Sequence, residues 1–293
     1  MQVILHTGVH CTDDDRLLKG LLRNADAWRH EGISIPGPSN YRQLLFEAVN
    51  SIADGRPTPA AREVLLDAIL SQDPEDVKRL VLSHPNFFCV PKLAMQDGML
   101  YRHAERRLRT LRAVFAQDDL EVHIGLRDFA TWIPAILATT PVDNYLELLH
   151  GADPMQLRWS DLIRRIRTAL PEVPITVWAN EDTPLIWGQL LRRLAGIALD
   201  RKIIGAFDML QAVIAPEGMQ RFRAFLKENP DVPEPQKRKV MAAFMGKYAL
   251  DEEVEQELDL PGWDTAYVDM LTELYDEDMY QIARLDGVTF VSP

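Results

Sequence analysis

Val3 to Asn24 reads VILHTGVHCTDDDRLLKGLLRN, and the fold turns on this stretch. An apolar run (Val3, Ile4, Leu5) stops at a Gly-containing loop, which opens into a helical pattern with Leu17, Leu18, Leu21 and Leu22 on one face. Strand, loop, helix is the order of a phosphate-binding loop, where backbone N–H groups and the positive end of the helix dipole face an anion and a Lys adds charge. Here the loop carries Cys11, Asp13, Asp14 and Asp15. Three carboxylates at a helix start suit the helix, because they cap it and oppose its dipole. They do not suit a polyanion, since like charges a few Å apart repel strongly where water is scarce. The stretch therefore predicts the shape of an anion loop with altered chemistry.

The rest of the chain fits one large α/β domain. Its 293 residues are enough for a well-buried core, and 47% hydrophobic with 26% charged residues is an ordinary globular composition. No run of about 18 apolar residues is present, so no membrane span is expected. The N-terminal stretch enters a strand without a basic, then apolar, leader, which predicts a cytoplasmic protein. Cys11 and Cys89 each follow a predicted strand and are expected as reduced thiols rather than a disulfide. The net charge of −12 comes from twelve acids without a Lys or Arg between residues 251 and 283, the other 32 acids matching the 32 bases. That segment reads as a solvated helical face, or as a docking surface for a basic partner. Nucleic acid is not an expected partner: no Lys/Arg stripe with interleaved aromatics occurs and the overall sign is wrong.

Further strands are read at Val81–Ser83, Val122–Arg127, Pro174–Trp178 and Val288–Val291, the last as a possible edge. Continuous apolar strands separated by helical segments predict a parallel sheet flanked by helices in three layers. Helices are expected at residues 41–53, 60–70, 106–115, from Pro134, 162–170 and 185–194, with a short one opened by Asp73-Pro74 that runs to Leu80. Beyond Ile203 the pattern is helical, with segments at 207–214, 216–227, 234–248, 251–258 and 266–284. The expected organisation is an α/β core over about residues 1–202 and a helical C-terminal lobe over about 203–293, within one domain. Gly55-Arg56-Pro57-Thr58-Pro59 reads as a loop, and the arginines around the stripe Leu108, Leu111 and Phe115 read as solvated.

HTGVHCTDDDRLL, followed by LLRNADAWRHEGISIPGPSNYR, resembles the first unit of bacterial sulfotransferase-like proteins, whose usual form is HxGxHKTGTTSLQ, a helix and an EGI-type segment. His6, Gly8, His10 and Thr12 match. Cys11 stands at the loop Lys, Asp13 at the Gly, and Asp14, Asp15 and Arg16 at Thr, Thr and Ser. The family keeps an Arg at the end of a later strand and a Ser eight residues on, which hold the donor's ribose phosphate; Arg127 matches the Arg and Ala135 occupies the Ser position. Asn180-Glu181-Asp182 resembles the family's acidic strand end. The resemblance implies a P-loop NTPase/sulfotransferase-like fold. It also implies phosphoadenylyl sulfate as donor, held by Gly8, Cys11, Thr12, Asp13, Asp14, Asp15, Arg16 and Arg127.

Within that frame His10 and Glu181 are the candidate catalytic groups for the acceptor proton, Glu181 serving as a general base or as a partner for Arg127. Arg127 alternatively pairs with Asp128 or with a carboxylate of the first loop. Asp182 or Thr183 is expected to cap the helix that follows. His6 and His10 are four apart but not on one helix, so a two-histidine metal face is absent. A thiolate at Cys11 would gain from the helix dipole and lose to the three carboxylates. Two functions are carried forward: a sulfotransferase-like enzyme with an unknown acceptor, and a non-catalytic member of the same fold that binds another small molecule or a protein.

Overall fold

The structure, a computed structural model, describes residues 1–52, 57–254 and 260–293. Its strands are β1 (Gln2–His6), β2 (Ile33–Ser34), β3 (Arg79–Ser83), β4 (Met95–Gln96), β5 (Met99–Leu100), β6 (Asp119–Leu126), β7 (Ile175–Ala179) and β8 (Val288–Val291). Six of them form one sheet in the order β2-β3-β1-β6-β7-β8, and every neighbouring pair is parallel. β4 and β5 make a separate antiparallel hairpin. β1 lies between β3 and β6, buried on both faces from Val3 to His6. That position explains its continuous apolar run, because a central parallel strand has no wet face.

The helices of the first half are α1 (Arg16–Leu22), α2 (Ala25–Arg29), α3 (Arg42–Ser51), α4 (Ala61–Ile69), α5 (Ala104–Val114), α6 (Phe129–Ala138) and α7 (Tyr145–Leu149). Those of the second half are α8 (Trp159–Ala169), α9 (Thr183–Ala195), α10 (Asp208–Val213), α11 (Pro216–Glu228), α12 (Glu234–Tyr248), α13 (Asp251–Val254) and α14 (Thr265–Ile282). One face of the sheet, with Val3, Leu5, Val122 and Val177, packs in a core with α3 to α6, α8 and α14. The other face, with Ile4, Val81 and Trp178, packs against α1, α2 and α9. Leu17, Leu18 and Leu21 of α1 are fully buried there, which at about 1.5–3 kcal/mol per side chain anchors the helix that follows the first loop. α1 meets α9 at Gly20, where a β-carbon would stand 3.0 Å from Leu191 Cδ2. The close approach fixes how the loop leaves the sheet.

α10, α11 and α12 gather around Leu210, Met219, Phe222 and Met241 in a cluster of their own. α14 and β8 return to the central layers: Tyr275, Met279 and Ile282 join the first core and β8 forms the sheet edge beside β7. Among the described residues no helix is long and apolar enough to cross a membrane.

Several boundaries differ from the sequence expectations. The helix expected from Pro134 begins at Phe129, because Asp128 caps it: Asp128 Oδ1 accepts from Ala130 N–H at 2.9 Å, and Pro134 lies inside. Asp73-Pro74 opens only a 3₁₀ turn, after which the chain is drawn into β3 beside β1. Asp182 stands at the N-cap of α9 but its side chain makes no capping bond. Arg107 is not solvated: it is 5% exposed, donates to Phe87 O and Asn50 Oδ1, and lies over the Phe46 ring. The acidic segment is not wholly a wet face either, since Asp278 is fully buried and accepts from Ser160 N–H at 3.0 Å, at the start of α8. Ala53 to Arg56 and residues 255–259, with Glu255, Glu257 and Asp259 of that segment, lie outside the described residues.

Candidate functional site

The carboxyl ends of β1, β3, β6 and β7 meet where the strand order reverses around β1, the place at which open α/β sheets receive ligands. His6, Ser83 and His123 end up side by side in register. The loop after His6 is first sewn to β6, with Thr7 N–H donating to His123 O and Val9 N–H to Gly125 O, both at 3.0 Å. It then takes left-handed backbone at Gly8 (φ 59°), Cys11 (φ 60°), Asp14 (φ 47°) and Asp15 (φ 62°). Asp tolerates that region better than Cys does, and such conformations persist only where the surroundings over-determine them.

Tertiary bonds supply that constraint. His10 is 4% exposed: its Nδ1 lies 2.8 Å from the Tyr101 hydroxyl, which also accepts from His10 N–H at 2.9 Å. His10 Nε2 lies 3.0 Å from the carbonyl of Cys89 and 3.1 Å from Asn86 Oδ1. A carbonyl only accepts, so Nε2 carries the proton and Nδ1 receives the Tyr101 O–H. Burial pushes the His10 pKa down and keeps the ring neutral, against the pull of Cys89 O and Asn86. Asp15 is gripped on both oxygens by Arg42, one contact being 2.9 Å from Nη1. Those bonds hold the Asp15 carboxyl below the usual range, with burial acting the other way. Asp13 Oδ2 accepts from Leu17 N–H at 3.1 Å, capping α1, whereas Asp14 is exposed. Thr12 Oγ1 donates to Val9 O at 2.9 Å. Arg127 is 9% exposed; it donates from Nη1 to Cys11 O and from Nε to Thr131 Oγ1 at 2.9 Å.

At β6 and β7 a second group faces α14. Glu181 sits at the surface with its carboxyl turned inward, Oε1 accepting from Asp128 N–H at 3.1 Å and Oε2 from the Tyr275 hydroxyl at 2.8 Å. Asp128 Oδ2 accepts from Thr272 Oγ1 at 2.6 Å. Loss of water around the Glu181 carboxyl pushes its pKa up and the nearby Asp128 adds to this, against the bonds from Asp128 N–H and Tyr275. Asp182 and Asp276 are raised as well, by burial first and then by a neighbouring carboxylate, Asp276 acting on Asp182 and Asp128 on Asp276.

The structure thus brings Gly8, Cys11, Thr12, Asp13, Asp14 and Asp15 into one loop and ties Arg127 to it through Cys11 O. Glu181 and His10 stand in separate hydrogen-bond groups. Arg16 turns outward, its Nη1 3.6 Å from Met209 Sδ. Burial raises the Cys11 thiol pKa, against Thr139 and Arg127, so the thiol stays protonated at neutral pH. Both cysteines are free. Among the described residues no group of three or more His, Cys, Asp or Glu is arranged to hold a metal ion. Sequence reasoning missed Arg42, Tyr101 and Tyr275, which reach the site from α3, from the turn after β5 and from α14. Only the hairpin before Tyr101 carried a local signal, the Asp97-Gly98 turn, both residues left-handed.

No protein-family model matches the sequence, and no curated protein sequence matches it. Among solved structures the chain is similar to a sulfotransferase from Alicyclobacillus acidocaldarius, at 11% identity and a TM-score of 0.38, over 82% of this chain and 97% of that one.

Proposed function

We propose that this protein is a sulfotransferase-like α/β protein that has given up phosphoadenylyl sulfate and works as a binding protein. The observation that carries this is the use of the loop's charges inside the fold: Arg42 is taken up by Asp15 on both oxygens, and Asp13 caps α1. A phosphosulfate laid on this loop would meet Asp13 and Asp15 with no loop Lys beside them. One such pair of like charges 4 Å apart costs about 4 kcal/mol at an effective dielectric near 20. His10 then serves as a loop anchor, and Glu181 as the link between β7 and α14.

Calorimetric titration with adenosine bisphosphate, with and without magnesium, tests the proposal. No heat of binding is expected in either condition, and binding in either overturns it. As a reciprocal test, Cys11→Lys with Asp13→Gly is expected to gain affinity for the nucleotide.

One observation favours the enzyme reading. Glu181 is a carboxyl of raised pKa at the end of β7, the kind of group that acts as a general base near neutral pH. On that alternative Arg127 holds the donor, and Arg127→Ala abolishes nucleotide binding without unfolding the protein. The same titration separates the two.

A further inference from the structure

Two arginines line a small cleft between α9, the turn at Ala206-Phe207 and α12. α9 contributes Gly188, Gln189 and Arg192 to its wall, and α12 contributes Glu234, Arg238 and Met241. Gln189 and Arg192 are three residues apart and so share one helical face. Arg238 reaches that face from α12, its Nη1 donating to Gln189 Oε1 at 3.3 Å. The Arg192 guanidinium lies back along α9, and the missing side chain of Gly188 admits it: a β-carbon there would stand 2.8 Å from Arg192 Nη1.

The charges around the cleft do not balance. Arg192 is 6% exposed, yet its bond within the protein is from Nε alone, to Arg201 O at 2.7 Å. Arg238 has its Nε buried without a partner. Among the described residues neither guanidinium forms a salt bridge, and the carboxylate on the cleft wall, Glu234, is taken by Lys237. Burial pulls the Arg192 pKa down, against Glu234 and Asp200. Arginine does not give up its proton in a protein, so both charges persist. A buried charge left unpaired is strongly destabilising, and one anion between the two guanidiniums answers both through charge-assisted bonds. Size then selects the anion. The cleft holds about 20 Å³, room for one particle of about the size of water. Phosphate, sulfate and carboxylates are too large, and water brings no charge. We propose that the cleft between α9 and α12 binds a single chloride ion, held by Arg192, Arg238 and the amide NH₂ of Gln189. The ion fastens the helices α10 to α12 to the α/β core, whatever the first loop takes.

The test is thermal unfolding of the full chain in potassium gluconate, with chloride exchanged in at constant ionic strength, beside the line width of the chlorine NMR signal in the same solutions. Expected are a saturable rise in Tm with chloride, about 3–5 °C at about ten times the dissociation constant, and a broadening of the chlorine signal that bromide displaces. In gluconate alone Arg238→Gln is expected to be at least as stable as wild type, because it removes a charge that has no counter-charge. In chloride wild type is expected to be the more stable, with the variant binding the ion about tenfold more weakly or worse. A Tm that does not distinguish chloride from gluconate, a rise that never saturates, or an unbroadened chlorine signal overturns the proposal, and these are read on wild type alone. An Arg238→Gln protein that answers chloride as wild type does overturns it too, because the ion then sits elsewhere.

Discussion

The bond between Asp15 and Arg42 holds the loop's last left-handed turn, and Asp15→Asn measures what it contributes. Asn accepts left-handed backbone as readily as Asp does, so the change isolates the charge. The Arg42 and Asp15 side chains are 23% and 33% exposed. Fully exposed pairs contribute about 0.2–1 kcal/mol, and breaking a buried pair costs about 3–5 kcal/mol. Asn keeps one acceptor for the guanidinium, which places the expected loss at about 1.5 kcal/mol. For a chain of this size that lowers Tm by about 3–6 °C. The pH dependence has a definite sign. The Asp15 carboxyl is held below its ordinary value by Arg42, so its contribution is present above the unfolded pKa of about 4 and is lost as pH falls through the lower folded value. Urea unfolding of both proteins at pH 7 and near pH 3 is the assay. A loss under about 0.5 kcal/mol at pH 7, the scale of an ordinary surface change, or an equal loss at both pH values, would refute the reasoning.

Two further outcomes are expected. Burial raises the Asp278 pKa despite the bonds from Ser160, so wild type should gain stability relative to Asp278→Asn as pH falls from 7 toward 4; a flat difference across that range, followed by denaturant unfolding, counts against it. Tyr101→Phe removes the hydroxyl that serves both His10 Nδ1 and His10 N–H in a buried setting, and should cost about 2–3 kcal/mol in thermal or urea unfolding; a loss under about 0.5 kcal/mol would show that His10 finds other partners.

The central strands were legible because burial on both faces leaves a mark in the sequence. Val3–Leu5, Val122–Leu126 and Ile175–Val177 are such runs. β3 was legible only from Val81, because it opens with Arg79, a charged residue whose Nε and Nη2 donate to Leu194 O and Arg193 O at the end of α9. No local pattern announces a cation that caps a helix more than a hundred residues away. α6 was placed late because Pro134 was read as a start, although Asp128 is the cap. In the site, the loop residues were visible together since they are consecutive. Arg42, Tyr101 and Tyr275 were not, because the periodicity of their own segments says which face is buried and not which loop that face meets.

The place of β1 in the middle of the sheet has a consequence for how the chain comes off the ribosome. Its first strand has no hydrogen-bond partner on one side until Arg79–Ser83 has been made and none on the other until Asp119–Leu126 follows. The loop behind it waits for Tyr101 and Arg127, and the rim at β7 waits for Tyr275. An apolar strand is thus carried with both edges open until Arg79–Ser83 is made, and with one edge open from there until Asp119–Leu126 follows. Long-range parallel pairing of this kind is slow and exposed to aggregation. Chains arrested before α14 would hold a formed sheet centre but an unlatched site, with Glu181 still lacking the Tyr275 hydroxyl.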